Sequence, residues 1–186
     1  MTDRPTDPMA AIAALKGRKL KPVRDWNPPF CGPSDMRIAR DGTWFYQNSP
    51  MGRPAMVELF ASVLRRDGDD YFLVTPVEKL GIVIEDAPFL AVELAVEGAG
   101  RAQILQFRTN VNDWVRADQD HPLRIEIDPN RAEPAPYIMV RDGLEAKIAR
   151  PIFYDLVALG VDEWREGVSW FGVWSAGCFF PIDRTP

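Results

Sequence analysis

Apolar positions along this chain recur with two periods, and each change of period marks an element. Met36 and Ile38, then Trp44 and Tyr46, alternate with polar neighbours on either side of Asp41-Gly42. Period two around Asp-Gly predicts a β-hairpin, because a type I′ turn needs positive φ at both central residues. After Arg53-Pro54 the period lengthens. Met56, Val57, Leu59, Phe60, Val63 and Leu64 fall near i, i+3, i+4 and i+7, one face of a helix. Proline suits its first turn, where the missing N–H has no helical partner. A strand is predicted over residues 71–75. Alternation then resumes at Leu80, Ile82 and Ile84, turns at residues 85–88, continues through Leu90, Val92, Leu94 and Val96, and turns again at residues 98–100. Residues 104–108 and 123–127 read as further strands.

The first pattern then returns. Ile138 and Val140, followed by Leu144, Ala146 and Ile148, flank Asp142-Gly143, again with arginine before the turn. Arg150-Pro151 opens a second amphipathic run carrying Ile152, Phe153, Leu156, Val157 and Leu159, and an apolar strand is predicted over residues 170–180. Matching turns, Arg-Pro helix starts and returning strands argue for an internal duplication of a hairpin-helix-strand unit. The expected fold is α+β, predominantly antiparallel, in two subdomains. The second is a curved sheet or partly closed barrel with a helix against one side. The expected divisions are a tail with a short helix at residues 1–20, a first subdomain at 21–76 and a larger second at 77–186.

Composition narrows the function. The chain has 186 residues, 46% hydrophobic and 26% charged, as in ordinary globular proteins. A net charge of −5 argues against a surface that neutralises nucleic-acid phosphates, so no polymer partner is expected. Cys31 and Cys178 belong to no CxxC pair or Cys/His cluster, so no metal is expected, and buried reduced thiols are the default. The start of the chain carries Asp3, Arg4 and Asp7 rather than an apolar stretch. The longest uncharged apolar-rich run, residues 169–182, is too short to span a membrane. No membrane insertion and a cytoplasmic location are therefore expected.

Several segments together carry a family likeness: CGPSDMRIARDGTWFY, RPAMVELFASVLRR, YFLVTPVEK, IVIEDAPF, FRTNV, DHPLRIEID, YIMVRDGLEAKIARPIFYDLV and GVWSAG. They resemble the bacterial domain of unknown function family 1285, over roughly residues 31–180. The resemblance implies an internally duplicated protein whose second half is superficially like a pleckstrin-homology barrel. It also implies a site for a nucleotide-like small molecule between the two parts and a role in signalling. A glycine is more usual in the family near Asn48.

The candidate chemistry is polar and dispersed. Glu78 and Lys79 follow the first returning strand, and Asp86 and Phe89 form an acidic turn beyond it. Arg108, Thr109 and Asn110 leave a strand as three hydrogen-bonding side chains in a row, able to hold a phosphate or to cap their own loop. Arg53 and Arg150 stand at helix starts, where they could join backbone N–H groups around an anion. His121, the only histidine, reads as a loop residue bonded to backbone. Trp174, flanked by glycines, is the tryptophan expected to be partly open. The favoured reading is a non-enzymatic protein without a cofactor. It binds its ligand through Trp44, Arg53, Glu78, Lys79, Asp86, Phe89, Arg108, Asn110, His121 and Arg124. One alternative is a hydrolase or transferase using Asp86 or Asp113 with His121, and the other is a protein-interaction module that needs no ligand.

Overall fold

The structure, a computed structural model, describes residues 22–127 and 133–185. The short helix expected near Met9–Lys16 lies outside them. The chain divides into two compact units, Met1–Asp86 and Ala87–Pro186.

The first unit is one six-stranded sheet with a helix on one face. Its strands are β1 (Phe30–Ile38), β2 (Trp44–Tyr46), β3 (Ser49–Pro50), β4 (Leu64–Asp67), β5 (Asp70–Val74) and β6 (Lys79–Ile84), in the order β3-β2-β1-β6-β5-β4. All pairs are antiparallel except β1 with β6. Helix α1 (Pro54–Ser62) starts at Pro54, as the missing N–H allows. The core gathers Met36, Ile38 and Trp44 from the first hairpin, Phe60 from α1 and Leu64, Leu73, Leu80 and Ile82 from β4 to β6.

The second unit holds two sheets. Strands β7 (Phe89–Glu97), β8 (Ile104–Thr109), β9 (Trp114–Arg116), β10 (Leu123–Ile127), β11 (Pro134–Arg141) and β12 (Leu144–Ile148) form a six-stranded sheet curled as a half-barrel, in the order β10-β11-β12-β7-β8-β9. Helix α2 (Arg150–Ala158) follows β12 and packs on β7. Strands β13 (Val161–Arg165), β14 (Val168–Ser175) and β15 (Cys178–Arg184) form a separate antiparallel meander. The α+β class and the duplication are thus present: hairpin, helix and three-strand meander occur in that order in both units. Their pairing differs. In the first unit the last meander strand, β6, adds in parallel to β1. In the second that parallel place beside the hairpin is taken by β7, next to β12, and the meander makes its own sheet.

Local chemistry explains where the sequence reading and the structure differ. Asp142 and Gly143 both have positive φ, 44° and 79°, the expected two-residue turn. In the first copy only Gly42 does, at 81°. There Ala39 and Thr43 close a three-residue loop, with the Gly42 N–H donating to Ala39 O at 2.9 Å and the Asp41 carboxylate accepting from the Thr43 N–H at 2.9 Å. Gln47 and Asn48, at φ 48° and 62°, form a left-handed two-residue turn between β2 and β3, a place where glycine is at home and asparagine is tolerated. The helical pattern after Pro54 overran its element: Leu64 opens β4, paired with β5 around the left-handed Gly68. The strand expected over residues 170–180 is a hairpin broken at Ala176-Gly177. In β7 the buried positions are Phe89 and Ala91, the opposite phase to Leu90 and Val92, because they stand opposite the buried Ala146 and Ile148 of β12. Strand β6 pairs with β1 and β5, so the first unit extends to Asp86 rather than ending near Pro76.

Candidate ligand-binding site

Most of the ten candidate side chains already have structural work. Trp44 is 1% exposed and packs on Phe60, ring centroids 6.4 Å apart. Phe89 is equally buried, with the Arg141 guanidinium 5.0 Å from its ring centroid. Neither offers an open face for stacking. Arg108 donates to Glu93 at 2.6 Å and to Asn112 at 3.1 Å. Asn110 accepts from the Leu90 N–H at 3.0 Å, and Thr109 accepts from the Val111 and Asp113 N–H groups, so this cluster caps its own loop. Arg124 is forked onto Glu145 at 3.1 and 2.7 Å, also meets Glu126, and lies on Tyr137. The Glu145 hydrogen bond is the main reason its guanidinium holds its proton more firmly than usual. His121 Nδ1 sits 3.0 Å from Asp118 Oδ1, which also accepts from the His121 N–H at 3.0 Å. The histidine's acidic partner is therefore Asp118, a residue passed over in sequence, and Asp113 is held by Arg141 at 2.7 Å. Asp86 is the last residue of the first unit. Arg53 is exposed at the N-cap of α1 with no ion pair among the described residues. Arg150 bonds Tyr154 at 3.1 Å and lies 3.8 Å from Glu133.

Glu78 and Lys79 turn to opposite sides, as consecutive residues entering a strand do. Glu78 goes inward with Leu80. It is 6% exposed, its Oε1 has no hydrogen-bond partner, and burial pushes its carboxyl above the usual range. A proton is then bound more tightly in the folded than in the unfolded chain. This contribution to stability is full below the ordinary carboxylate range and is lost as pH rises through the raised value. Glu78→Gln is accordingly expected to raise the melting temperature near neutral pH and to change it less in acid. Melting curves across pH check this; an equal shift at every pH would refute it.

Lys79 goes outward, and around it is the arrangement best suited to a ligand. Its ammonium lies 2.6 Å from Asp67 and 3.9 Å from the centre of the Phe72 ring. Arg65 donates to the same carboxylate at 2.8 Å and to Trp26 O at 2.6 Å. One carboxylate thus serves two cations, and a second, Asp70, stands opposite Asp67 and lines the same concavity. The Arg65 hydrogen bond, reinforced by Lys79 against the opposing effect of burial, keeps Asp67 ionised below the usual range. Phe30 stands edge-on to Phe72, centroids 6.0 Å apart, over Gly81, which leaves floor space between them. Phe30, Asp70, Phe72, Lys79, Gly81 and Val83 are among the residues that line an open concavity of about 470 Å³. Phe30 is 62% exposed, so its ring is open where Phe72 is covered by Lys79. The sequence reading named Lys79 among the ligand-binding residues and did not name Phe30. The β1·β6 register, which sets Phe30 opposite Lys79, is a long-range fact that no local pattern carries.

The meander of the second unit has a comparable aromatic surface, lined by Arg165, Trp170, Phe179 and Pro181. Its rings are already covered: Arg184 lies 5.0 Å from Trp170, Arg165 5.1 Å from Phe179 and Arg101 5.0 Å from Trp174. Trp174 is half-buried, its Nε1–H bonded to Glu163 at 3.0 Å. Both cysteines are free, Cys31 exposed rather than buried and Cys178 half-buried. Among the described residues there is no cluster of three or more His, Cys, Asp or Glu able to hold a metal, and no helix is long and apolar enough to cross a membrane.

Family models match both units. Residues 21–87 match the domain of unknown function DUF1285, N-terminal domain, and residues 88–182 match its C-terminal domain. The chain belongs to the DUF1285 family. A solved DUF1285 family protein from Silicibacter pomeroyi DSS-3 is 52% identical, covers 98% of this chain and 97% of its own, and superposes with a TM-score of 0.89. A DUF1285 family protein from Shewanella baltica OS155 is 28% identical over 66% of this chain and 90% of its own, with a TM-score of 0.52. None of the curated proteins matches. The boundary between the two DUF1285 models coincides with the division of the structure after Asp86, within one residue.

Proposed function

We propose that this DUF1285 protein is a non-enzymatic, cytoplasmic ligand-binding protein acting in signal transduction, and that its ligand is a small nucleotide-like anion. The observation that supports this reading is the open Phe30 ring over Gly81, beside two cations that share one carboxylate. A planar base stacks on an exposed aromatic face, a contact worth about 1–3 kcal/mol in single-strand binders. A phosphate meets Lys79, the cation that lines the concavity, on the side away from Asp70. Calorimetric titration with adenosine 5′-monophosphate tests the proposal. Saturable binding is expected, about tenfold weaker in Phe30→Ala, as the loss of one stacking contact implies. Lys79→Ala weakens binding too, with a modest fall in melting temperature because it also removes the Asp67 pair.

A further inference from the structure

The concavity of the first unit holds an acceptor that neither a phosphate nor a stacked base accounts for. Asp70 opens β5, and its side chain falls on the same face as Phe72, two residues on. It stands directly opposite Asp67 in the β4·β5 ladder, a placement in which like charges repel. Both nearby cations go to Asp67, Arg65 at 2.8 Å and Lys79 at 2.6 Å. The Asp70 carboxylate is exposed, and among the described residues it has neither an ion-pair nor a hydrogen-bond partner. Two positive and two negative side chains cancel, so charge alone draws no anion into the concavity. A ligand that fits it brings an anionic group for Lys79 and hydrogen-bond donors for Asp70.

We propose that Asp70 accepts hydrogen bonds from the ribose hydroxyls of the ligand, which is therefore a ribonucleotide rather than a deoxyribonucleotide or inorganic phosphate. The inference rests on the ligand reading above and narrows its class. An acidic side chain takes the same part toward the ribose 2′-hydroxyl in dinucleotide-binding folds, and hydrogen bonds to an ionised acceptor are the strong ones. The register supplies the layout. Phe30 lies opposite Lys79, Phe72 opposite Gly81 in the next row, and Asp70 beyond Phe72. Lys79 reaches across the Phe72 ring to Asp67, which brings its ammonium to the row of Asp70. Directly opposite side chains stand about 4.5–5.5 Å apart at Cβ, so the ammonium and the free carboxylate flank one small space. In a 5′-nucleotide the phosphate and the 2′- and 3′-hydroxyls leave different sides of the ribose, and the base leaves a third. A base on Phe30, a phosphate on Lys79 and hydroxyls on Asp70 use those three sides of one sugar.

Calorimetric titration of the full chain with adenosine 5′-monophosphate and with its 2′-deoxy counterpart tests the ribose contact. Wild type is expected to bind the ribonucleotide about tenfold more tightly, as one hydrogen bond to a charged group implies. Asp70→Ala should bind the two nucleotides alike, holding the deoxynucleotide no less tightly than wild type does. Asp70→Asn, which keeps an acceptor without the charge, should retain part of the preference. Asp70 is exposed, so both variants should melt near the wild-type temperature. Equal binding of the two nucleotides by wild type, weakened by Phe30→Ala, would overturn the ribose contact and leave the ligand reading standing. A preference that survives Asp70→Ala would overturn it too, as would an equal loss of affinity for both nucleotides, because the carboxylate would then meet the base. If neither nucleotide binds wild type, the ligand reading fails and the ribose contact with it.

Discussion

Trp44→Ala is expected to destabilise the first unit by about 3–5 kcal/mol, the usual consequence of emptying a fully buried tryptophan site. Trp44 is the largest side chain in the inner layer, stacked at a tilt on Phe60 between the first hairpin and α1. Since whole domains are stable by only about 5–15 kcal/mol, this single change should bring the unit close to unfolding. Trp44→Phe is the informative control. The Trp44 Nε1–H is buried with no hydrogen-bond partner, so removing it relieves an unsatisfied donor while much of the ring volume stays. Thermal or urea unfolding should therefore rank the variants with Phe close to wild type and Ala far below it. A mild Trp44→Ala would mean that the hairpin does not depend on this contact.

Gly172→Ala should be nearly as damaging to the second unit, for the opposite reason. A Cβ at Gly172 would collide with the Phe180 carbonyl oxygen and come within 2.6 Å of Phe179 Cζ. The carbonyl belongs to the backbone of the neighbouring strand and cannot rotate away. Gly172 and Pro181 stand opposite each other where the β14·β15 register shifts, so the strand would have to move at an existing irregularity. Overpacking of this kind costs about 1–3 kcal/mol, occasionally more. Gly177→Ala is the comparison: nothing lies near its Cβ, and only its positive φ of 76° opposes the methyl group. A smaller loss is expected there. Unfolding midpoints that rank the two the other way round would contradict the packing described for the meander.

Much of this fold was legible because it is local. Asp142-Gly143, Arg53-Pro54 and Arg150-Pro151 carry their structural meaning within a few residues, and both helices start where proline permits. What was illegible depends on pairing. Nothing in Leu90, Val92 and Leu94 shows that β7 will lie beside β12 and turn Phe89 and Ala91 inward instead. The Asp41-Gly42 turn looks identical in sequence to its copy, yet Asp41 spends its carboxylate on the Thr43 N–H and closes a longer loop. The surroundings of the candidate side chains were illegible in sequence for the same reason. Charged residues were chosen by type, and Arg108 and Arg124 then proved to be answered by Glu93 and by Glu145. Lys79 stands apart because Arg65 competes for its carboxylate, and Phe30 joins it only through the parallel pairing of β1 with β6.

The measurement that bears most directly on ligand binding by the first unit is the affinity of adenosine 5′-monophosphate for three forms of the full chain: wild type, Phe30→Ala and Arg108→Ala. Phe30 is largely exposed and Arg108 is engaged within the second unit, so both variants should melt near the wild-type temperature. Saturable binding to wild type, weakened about tenfold by Phe30→Ala and unchanged by Arg108→Ala, is the expected result. No saturable binding to wild type, or an affinity indifferent to Phe30→Ala, would contradict it.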